Sequence, residues 1–182
     1  MKHITTALGA LALSTSLAQA GGVERAATNI GFMFEKGNYA ELSFGSVTPS
    51  VSGTQLINYV TNAGGQSGNM AKRYTTASLA LKTQLNEKLS FGILLDQPIG
   101  ADVLYAPSTG YLYGVTGGSE AKITSSAVTA LLRYKLGEAV SVFAGPKFES
   151  AKGTVRLFNG YALTTSTEND TGYVAGVAYE KP

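Results

Sequence analysis

Beyond Gly37, apolar and polar residues alternate with a period of two, and no stretch of ten or more residues has the spacing of an apolar helical face. The segment 76–85 places mostly apolar residues on one side and mostly polar residues on the other. A polar link follows at 86–88, and the alternation resumes over 89–96. Two alternating runs joined by a short polar link predict a β-hairpin.

The same pattern returns downstream, where the runs 128–136 and 140–149 flank the link 137–139. Two shorter runs, at 40–45 and 172–180, bring the predicted number of strands to six. The ionisable residues of these strands all fall on the face opposite the leucine, valine and phenylalanine side chains: Glu41, Lys82, Asp96, Arg133, Lys135, Lys147, Glu149 and Glu180. The pattern predicts an antiparallel sheet with one apolar and one polar face, which a soluble sheet would share.

The loops separate the membrane interpretation from the soluble one. The links at 86–88 and 137–139 are short, whereas those around 51–73, 98–122 and 159–170 are long and rich in Gly, Ser, Thr and Asn. Short turns on one side and long polar loops on the other are typical of outer-membrane barrels, and strands of about ten residues match the tilted span of a bilayer. We therefore predict an all-β fold, an antiparallel transmembrane β-barrel.

Six strands are fewer than the roughly eight with which bacterial barrels begin. We therefore expect this sequence to be the N-terminal part of a larger barrel, with assembly of several copies into one barrel as the alternative.

The N-terminus has the layout of a secretory signal peptide. Met1-Lys2-His3 leads into an apolar run from Ile4 to Leu17, which closes on Ala18-Gln19-Ala20. This pattern predicts cleavage between Ala20 and Gly21, and export beyond the inner membrane.

Cleavage would remove the one histidine, His3, from a chain that has no cysteine and no tryptophan. It would leave 13 of the 14 basic residues against 12 acidic ones, which gives no electrostatic signature of nucleic-acid binding. The usual general bases and soft metal ligands are then absent, and a Ser-His-Asp site cannot be built from these residues. The sequence therefore predicts no enzyme, no metal site and no cofactor, although a further C-terminal part could supply such residues.

Three blocks carry a family resemblance: ERAATNIGFMFEKGNYAELSFGSVTPSVSG at 24–53, LNEKLSFGILLDQPIGADVLY at 85–105 and GPKFESAKGTV at 145–155. Their order after a signal peptide resembles the FadL/TodX-type outer-membrane transporters of long-chain fatty acids and aromatic hydrocarbons. The resemblance implies a fourteen-stranded barrel with an N-terminal hatch in its lumen. It divides the chain into a signal peptide (1–20), a hatch (21–37) and an N-terminal part of the barrel (38–182).

The resemblance also implies a kink in the third strand that opens the wall sideways, and the matching run here is 96–100. Pro98 lacks an N–H and Gly100 tolerates unusual dihedral angles, so a local break in the ladder is plausible there. The implied function is passive diffusion of hydrophobic compounds such as fatty acids across the bacterial outer membrane. The implied partners are these compounds, outer-membrane lipid and, during insertion, the barrel-assembly machinery.

Five residues are candidates for ligand binding: Phe32, Phe34, Leu94, Phe143 and Arg133. The hatch phenylalanines would either contact ligand or anchor the hatch, and Leu94 and Phe143, on the otherwise polar lumen phase, would either line the ligand's path or contact the hatch. Arg133 could bind a carboxylate headgroup, or the lumen cations could pair with Glu41, Asp96 and Glu149.

Two other functions remain open, a structural, adhesin-like or non-specific porin barrel and a secreted soluble β-sandwich.

Overall fold

The computed structural model describes residues 23–56, 65–107 and 111–180. The predicted signal peptide, with its cleavage site between Ala20 and Gly21, lies outside these residues, as do parts of two long loops. The strands are β1 (Tyr39–Val47), β2 (Tyr74–Gln84), β3 (Leu89–Asp96), β4 (Gly100–Tyr105), β5 (Ser119–Lys135), β6 (Val140–Arg156), β7 (Ala162–Thr164) and β8 (Glu168–Tyr179). Two 3-10 helices, Gly31–Phe34 and Leu112–Gly117, complete the elements.

The strands form one antiparallel sheet. Both β3 and β4 pair with β5, and both β7 and β8 pair with β6. The sheet therefore has six successive strand positions, and β3–β4 and β7–β8 each fill one position as a single interrupted strand. In the described part of the chain the sheet is open, and no helix there is long and apolar enough to cross a membrane. The predicted all-β, antiparallel architecture is confirmed.

The structure differs from the sequence pattern in the length of the central hairpin. β5 begins at Ser119, within the predicted loop around 98–122, and β6 ends at Arg156, seven residues beyond the predicted run 140–149. In these extensions the alternation continues with the two faces exchanged, since polar residues such as Lys122 and Lys152 lie outward and small or apolar residues such as Ile123 and Val155 lie inward. The strands continue because their main-chain N–H and C=O groups still pair with each other, in a register that runs from Glu120↔Arg156 to Lys135↔Ser141.

The short link between β2 and β3 is an Asx turn. The Asn86 side-chain oxygen accepts hydrogen bonds from the main-chain N–H groups of Lys88 and Leu89, both at 2.9 Å. Asparagine is favoured in turns because its side chain replaces a main-chain acceptor in this way. The turn therefore fixes the register in which the predicted hairpin closes.

The distribution of charged and apolar side chains over the two faces of the sheet is the reverse of that in a soluble protein. The inward face carries the buried ionisable residues Lys82, Asp96 and Arg133. The outward face exposes large apolar side chains, including Leu42, Phe44, Leu132, Phe148, Tyr173 and Val177. A continuous exposed apolar band of this kind is the surface that a barrel presents to lipid.

An arginine placed within this band tests its environment. Leu132→Arg should reduce insertion into outer membranes or liposomes, because an arginine near the bilayer midplane costs about 2–4 kcal/mol. Ser126→Arg is the matched control, since Ser126 lies on the same strand and the same exposed face but beyond the apolar band. Insertion is measured as the fraction of protein that migrates differently with and without heating. Equal insertion of both variants would contradict a lipid-facing band.

Candidate functional site

The chain before β1 lies on the inward face of the sheet. We call its described part, residues 23–37, the plug segment. Its 3-10 helix begins where the Asn29 side-chain oxygen accepts a hydrogen bond from the N–H of Gly31 at 2.9 Å. The helix is short, and it turns Phe32 and Met33 towards the wall, where both are buried. The plug segment thus contributes two of the large buried apolar side chains of the inner face.

A depression in the wall receives these two side chains. Phe32 and Met33 form a cluster with Ala80, Leu94 and Leu131. Gly92 forms the floor of this depression, and a side-chain carbon there would overlap both the sulfur of Met33 and the ring of Phe32. Glycine at this position therefore allows the plug segment to approach the strand closely.

A second aromatic contact lies beside the cluster. The rings of Phe34 and Phe143 pack edge to face with their centroids 6.1 Å apart. Phe143 in turn lies over Gly176 of β8, where a side chain would overlap its ring. Leu94 and Phe143, the two apolar exceptions on the lumen phase, thus both contact the plug segment.

Lys82 holds the carbonyl groups at the end of the plug segment. Its buried Nζ donates hydrogen bonds to the main-chain oxygens of Glu35 at 2.5 Å and Gly37 at 2.9 Å. A charged donor strengthens each bond relative to a neutral one. Burial of this lysine is therefore compensated by the plug backbone rather than by a carboxylate.

Arg133 is the second anchor, and its whole guanidinium is engaged. It donates to the Met33 carbonyl at 3.0 Å and to the Ser141 hydroxyl at 3.0 Å, and it forms an ion pair with Glu180. Its Cζ also lies 4.5 Å from the centre of the Phe34 ring, a cation–π distance. All five predicted ligand-binding residues therefore meet at one place, and the contacts they make there join plug to wall. Their role in ligand binding stays a prediction.

Elsewhere on the inner face, a lysine forms an ion pair with a glutamate. Lys147 lies 3.1 Å from Glu149 on the same strand. One oxygen of Asp96 is buried without a hydrogen-bond partner in the described part of the chain.

The wall is interrupted between β3 and β4. Three residues, 97–99, lie opposite only two residues of β5, so the pairing shifts from Asp96↔Ala127 to Gly100↔Thr124. One extra residue on one strand is the definition of a β-bulge. Pro98 and Gly100 lie at this interruption, where the sequence predicted a break in the ladder.

The bulge also separates β3–β4 from β2. Pairing between β2 and β3 ends at Leu79↔Leu95, and the two chains meet again only at the bridge Ala71↔Val103. In the part of the chain that the structure describes, no ladder pair joins 72–78 to 96–102. We call this opening between β2 and β3–β4, bounded by the pairs Leu79↔Leu95 and Ala71↔Val103, the lateral gap.

The start of the plug segment fills the lateral gap. Its main chain forms an antiparallel bridge at Glu24↔Ile99. The Arg25 N–H donates to the Pro98 carbonyl at 2.8 Å, and the Gly100 N–H donates to the Val23 carbonyl at 2.7 Å. The sequence does not predict this contact, because 23–26 has neither the alternation nor the helical pattern that would indicate a pairing segment.

Four aromatic rings lie together where β4 and β5 reach the long loops. Tyr105 stacks on Tyr111 with centroids 5.5 Å apart, and Tyr113 lies 5.3 Å from Tyr105 and 5.9 Å from Phe158. Tyr105 is paired with the inward-facing Ser119, so this cluster lies on the lumen side of the wall. It adds an apolar surface at that end of the inner face.

Comparison with known proteins identifies the architecture. No family model and no curated protein sequence matches the chain. The structure is similar to the crystal structure of a Pseudomonas aeruginosa FadL homologue, with a TM-score of 0.52 over 80% of this chain and 18% sequence identity. The chain has a FadL-type fold. It spans 39% of the length of that solved structure, and the predicted likeness to FadL is confirmed at the level of the fold.

Removing an anchor should loosen the plug segment. We expect Arg133→Met to weaken its attachment by about 2 kcal/mol, because hydrogen bonds to charged groups contribute about 1.5–3 kcal/mol each. Cleavage by trypsin after the exposed Lys36 should then become roughly thirtyfold faster. Lys135→Met is the matched control: Lys135 faces inward two residues further along β5 and forms no hydrogen bond or ion pair with the plug segment in the described residues. Equal cleavage rates in both variants would show that Arg133 is not an anchor.

Proposed function

We propose that the protein is a passive transporter of the bacterial outer membrane. It would let hydrophobic compounds such as long-chain fatty acids enter the lumen and leave sideways through the lateral gap. The observation that supports this function most directly is the gap itself, an interruption of the wall occupied by a segment of the same chain.

The height of the lateral gap suits an exit into lipid. Its lower end, Leu95, pairs with Val128, and both are exposed apolar residues of the outward band. The gap therefore opens at the upper margin of the apolar surface. A hydrophobic compound leaving there passes from the lumen into the membrane without crossing the polar loops.

An apolar cavity lies beside the upper end of the gap. It measures about 320 Å³ and its lining includes Pro49, Val51, Met70, Val103 and the start of the plug segment. Ligand pockets for hydrophobic compounds are concave and mostly apolar, with a few polar groups that fix orientation. The cavity supplies such a surface next to the proposed exit.

The two ends of the plug segment are held with unequal strength. Residues 32–37 are fixed by buried aromatic and sulfur side chains and by two cations, Lys82 and Arg133. Residues 23–26 are fixed in the gap mainly by main-chain hydrogen bonds, each of which contributes a net of about 0.5–1.5 kcal/mol. Opening the gap therefore requires release of the weaker end alone, while the anchored end keeps the plug in place.

This proposal requires neither a catalytic group nor an energy source, because movement down a concentration gradient supplies the driving force. Export by the predicted signal peptide and insertion by the barrel-assembly machinery belong to the same proposal.

A disulfide across the gap tests the exit. Glu24 and Ile99 form a non-hydrogen-bonded antiparallel pair, since the bonds lie at the flanking residues. Such pairs have Cα atoms about 4.5 Å apart, within the range of a disulfide, and the chain has no other cysteine. Cells that lack their own transporter and produce the oxidised Glu24→Cys/Ile99→Cys variant should take up a long-chain fatty acid at least about tenfold more slowly than cells that produce the wild-type protein. Reduction should restore the rate.

The control is a disulfide that leaves the gap free. Gln84→Cys/Ser90→Cys joins β2 to β3 close to the turn, well away from the bulge. Fatty-acid uptake by cells that produce this control variant should be the same whether the disulfide is oxidised or reduced. If the gap disulfide forms and uptake continues unchanged, lateral exit is wrong. If ions pass freely through both oxidised variants, the barrel is a general porin.

A further inference from the structure

A second cavity, of about 430 Å³, lies at the lateral gap, and its lining includes Thr75, Asp102, Lys122 and Thr124 from outward positions of the strands. Three cationic residues line it, Arg25 from the plug segment, Arg73 beside β2 and Lys122 on β5. We propose that this cavity binds the anionic headgroup of an amphiphile, the carboxylate of a long-chain acid, and that Arg25 is the residue that selects it. This inference rests on the proposed lateral exit and names the class of compound that the exit favours.

Arg25 places its guanidinium group at this cavity. The guanidinium carbon lies 4.2 Å from the centre of the Tyr74 ring, and the Nε is buried without a hydrogen-bond partner in the described part of the chain. Because the Nε is buried, a carboxylate would bind the terminal nitrogens of the guanidinium, the group that fits a carboxylate best. The arginine is thus held in place by an aromatic face, and its terminal nitrogens are the donors available to a headgroup.

Gly100 makes this position of Arg25 possible. A side-chain carbon at Gly100 would overlap the Nε of Arg25 and would come within 2.7 Å of its Cδ. Gly100 pairs with Thr124 on the outward phase of β5, so the arginine crosses the wall at the glycine and reaches the outer cavity. The bulge that opens the gap therefore also positions the cation.

The one carboxylate lining the cavity does not neutralise its cations. Asp102 lies 3.9 Å from Lys122 and 3.7 Å from Lys72, and Lys72 lies closer to Glu120, at 3.3 Å, so Asp102 offsets at most one of the three cations that line the cavity. Arg73 donates to the hydroxyl of Ser46 at 3.0 Å, which leaves its charge uncompensated. The cavity as a whole keeps an excess of positive charge.

Near the gap, acids outnumber cations on the inward face and cations outnumber acids on the outward face. Asp96, Ala127, Glu149 and Asp170 form one inward-facing row across four strands, in which Glu149 pairs with the inward-facing Lys147. The outward phase of β5 and β6 carries the cations Lys122, Lys152 and Arg156 and one acid, Glu120. An anion is therefore repelled by the inner row and attracted to the outer mouth of the gap, which favours movement outward through the wall.

The cavity lies where an amphiphile in the membrane carries its headgroup. Val128 is the first large apolar residue on the outward face of β5, and Thr124, which lines the cavity, lies four residues before it. Four residues of a strand span about 13 Å, or roughly 9 Å along the membrane normal at a tilt of about 45°. An acid bound at Arg25 thus leaves its chain level with the apolar band.

The test compares two compounds of equal chain length, hexadecanoate and the neutral alcohol hexadecanol. Uptake into liposomes is measured for the wild-type protein and for Arg25→Gln, which keeps the main-chain bonds of residue 25 to Pro98. The wild-type protein should prefer the carboxylate, and Arg25→Gln should lower that preference by about tenfold while the alcohol rate stays the same. Arg25→Lys should retain part of the preference, and Gly100→Ala, which displaces the guanidinium, should lose it. Lys88→Gln, at the turn between β2 and β3, is the matched charge control and should behave as wild type.

Each outcome decides between defined alternatives. Equal slowing of both compounds by Arg25→Gln would make Arg25 a structural residue and overturn the proposal, while lateral exit would still stand. Transport of neither compound by the wild-type protein would instead overturn the proposed function.

A phosphorylated membrane lipid presents the same anionic chemistry. Its retention by the purified protein is therefore compared in wild type and Arg25→Gln by mass spectrometry. If Arg25→Gln loses a phosphorylated lipid but keeps its preference for hexadecanoate, the cavity binds lipid phosphate and the assignment to a carboxylate is wrong. Displacement of such a lipid by hexadecanoate would support the assignment.

Discussion

Main-chain donors and acceptors in a sheet that faces lipid have no water to bind, and this constraint governs how the wall is interrupted. At the bulge, Pro98 brings no donor of its own, and its carbonyl accepts from the N–H of Arg25. The Ser125 hydroxyl bonds both main-chain groups of Ile99, at 2.9 and 2.7 Å. An opening in the wall is tolerated because one side chain of the neighbouring strand and one removable segment satisfy its backbone.

The same constraint explains why the inner face is charged. A wall that is apolar outside must bind its plug with the groups left on the inside, and Lys82 and Arg133 do so through backbone carbonyls of the plug. Anchoring through main-chain atoms makes few demands on the plug sequence. It depends strongly on Gly92, because only a residue without a side chain leaves room for Phe32 and Met33 at hydrogen-bonding range of these cations.

The sequence predicted the six strands and the common face of the charged residues, since both follow from alternation. The interruption at 96–100 was implied by the family resemblance, and alternation alone does not predict it. The sequence did not predict the extensions of β5 and β6, because there the polar residues lie outward and the small and apolar residues lie inward, the reverse of the predicted runs. Nor did it predict that Arg133 holds the plug, because the same inward cation fits a ligand, an ion pair or a backbone carbonyl equally well. The pairing of 23–26 with the bulge has no local signal, since it depends on a partner more than seventy residues away.

Above the apolar band, the period of two continues but its chemical meaning changes. Lower on β5 the outward positions are occupied by Val128 and Leu132, whose exposed apolar side chains suit contact with lipid chains. Further up, the same phase carries Thr124 and Lys122, whose polar side chains suit contact with headgroups. The bulge shifts β4 by one residue against β5, so that Asp102 falls on this outward phase beside Lys122, and Gly100 lets Arg25 join them. A single inserted residue thus both opens the wall and assembles a charged mouth at the point of opening.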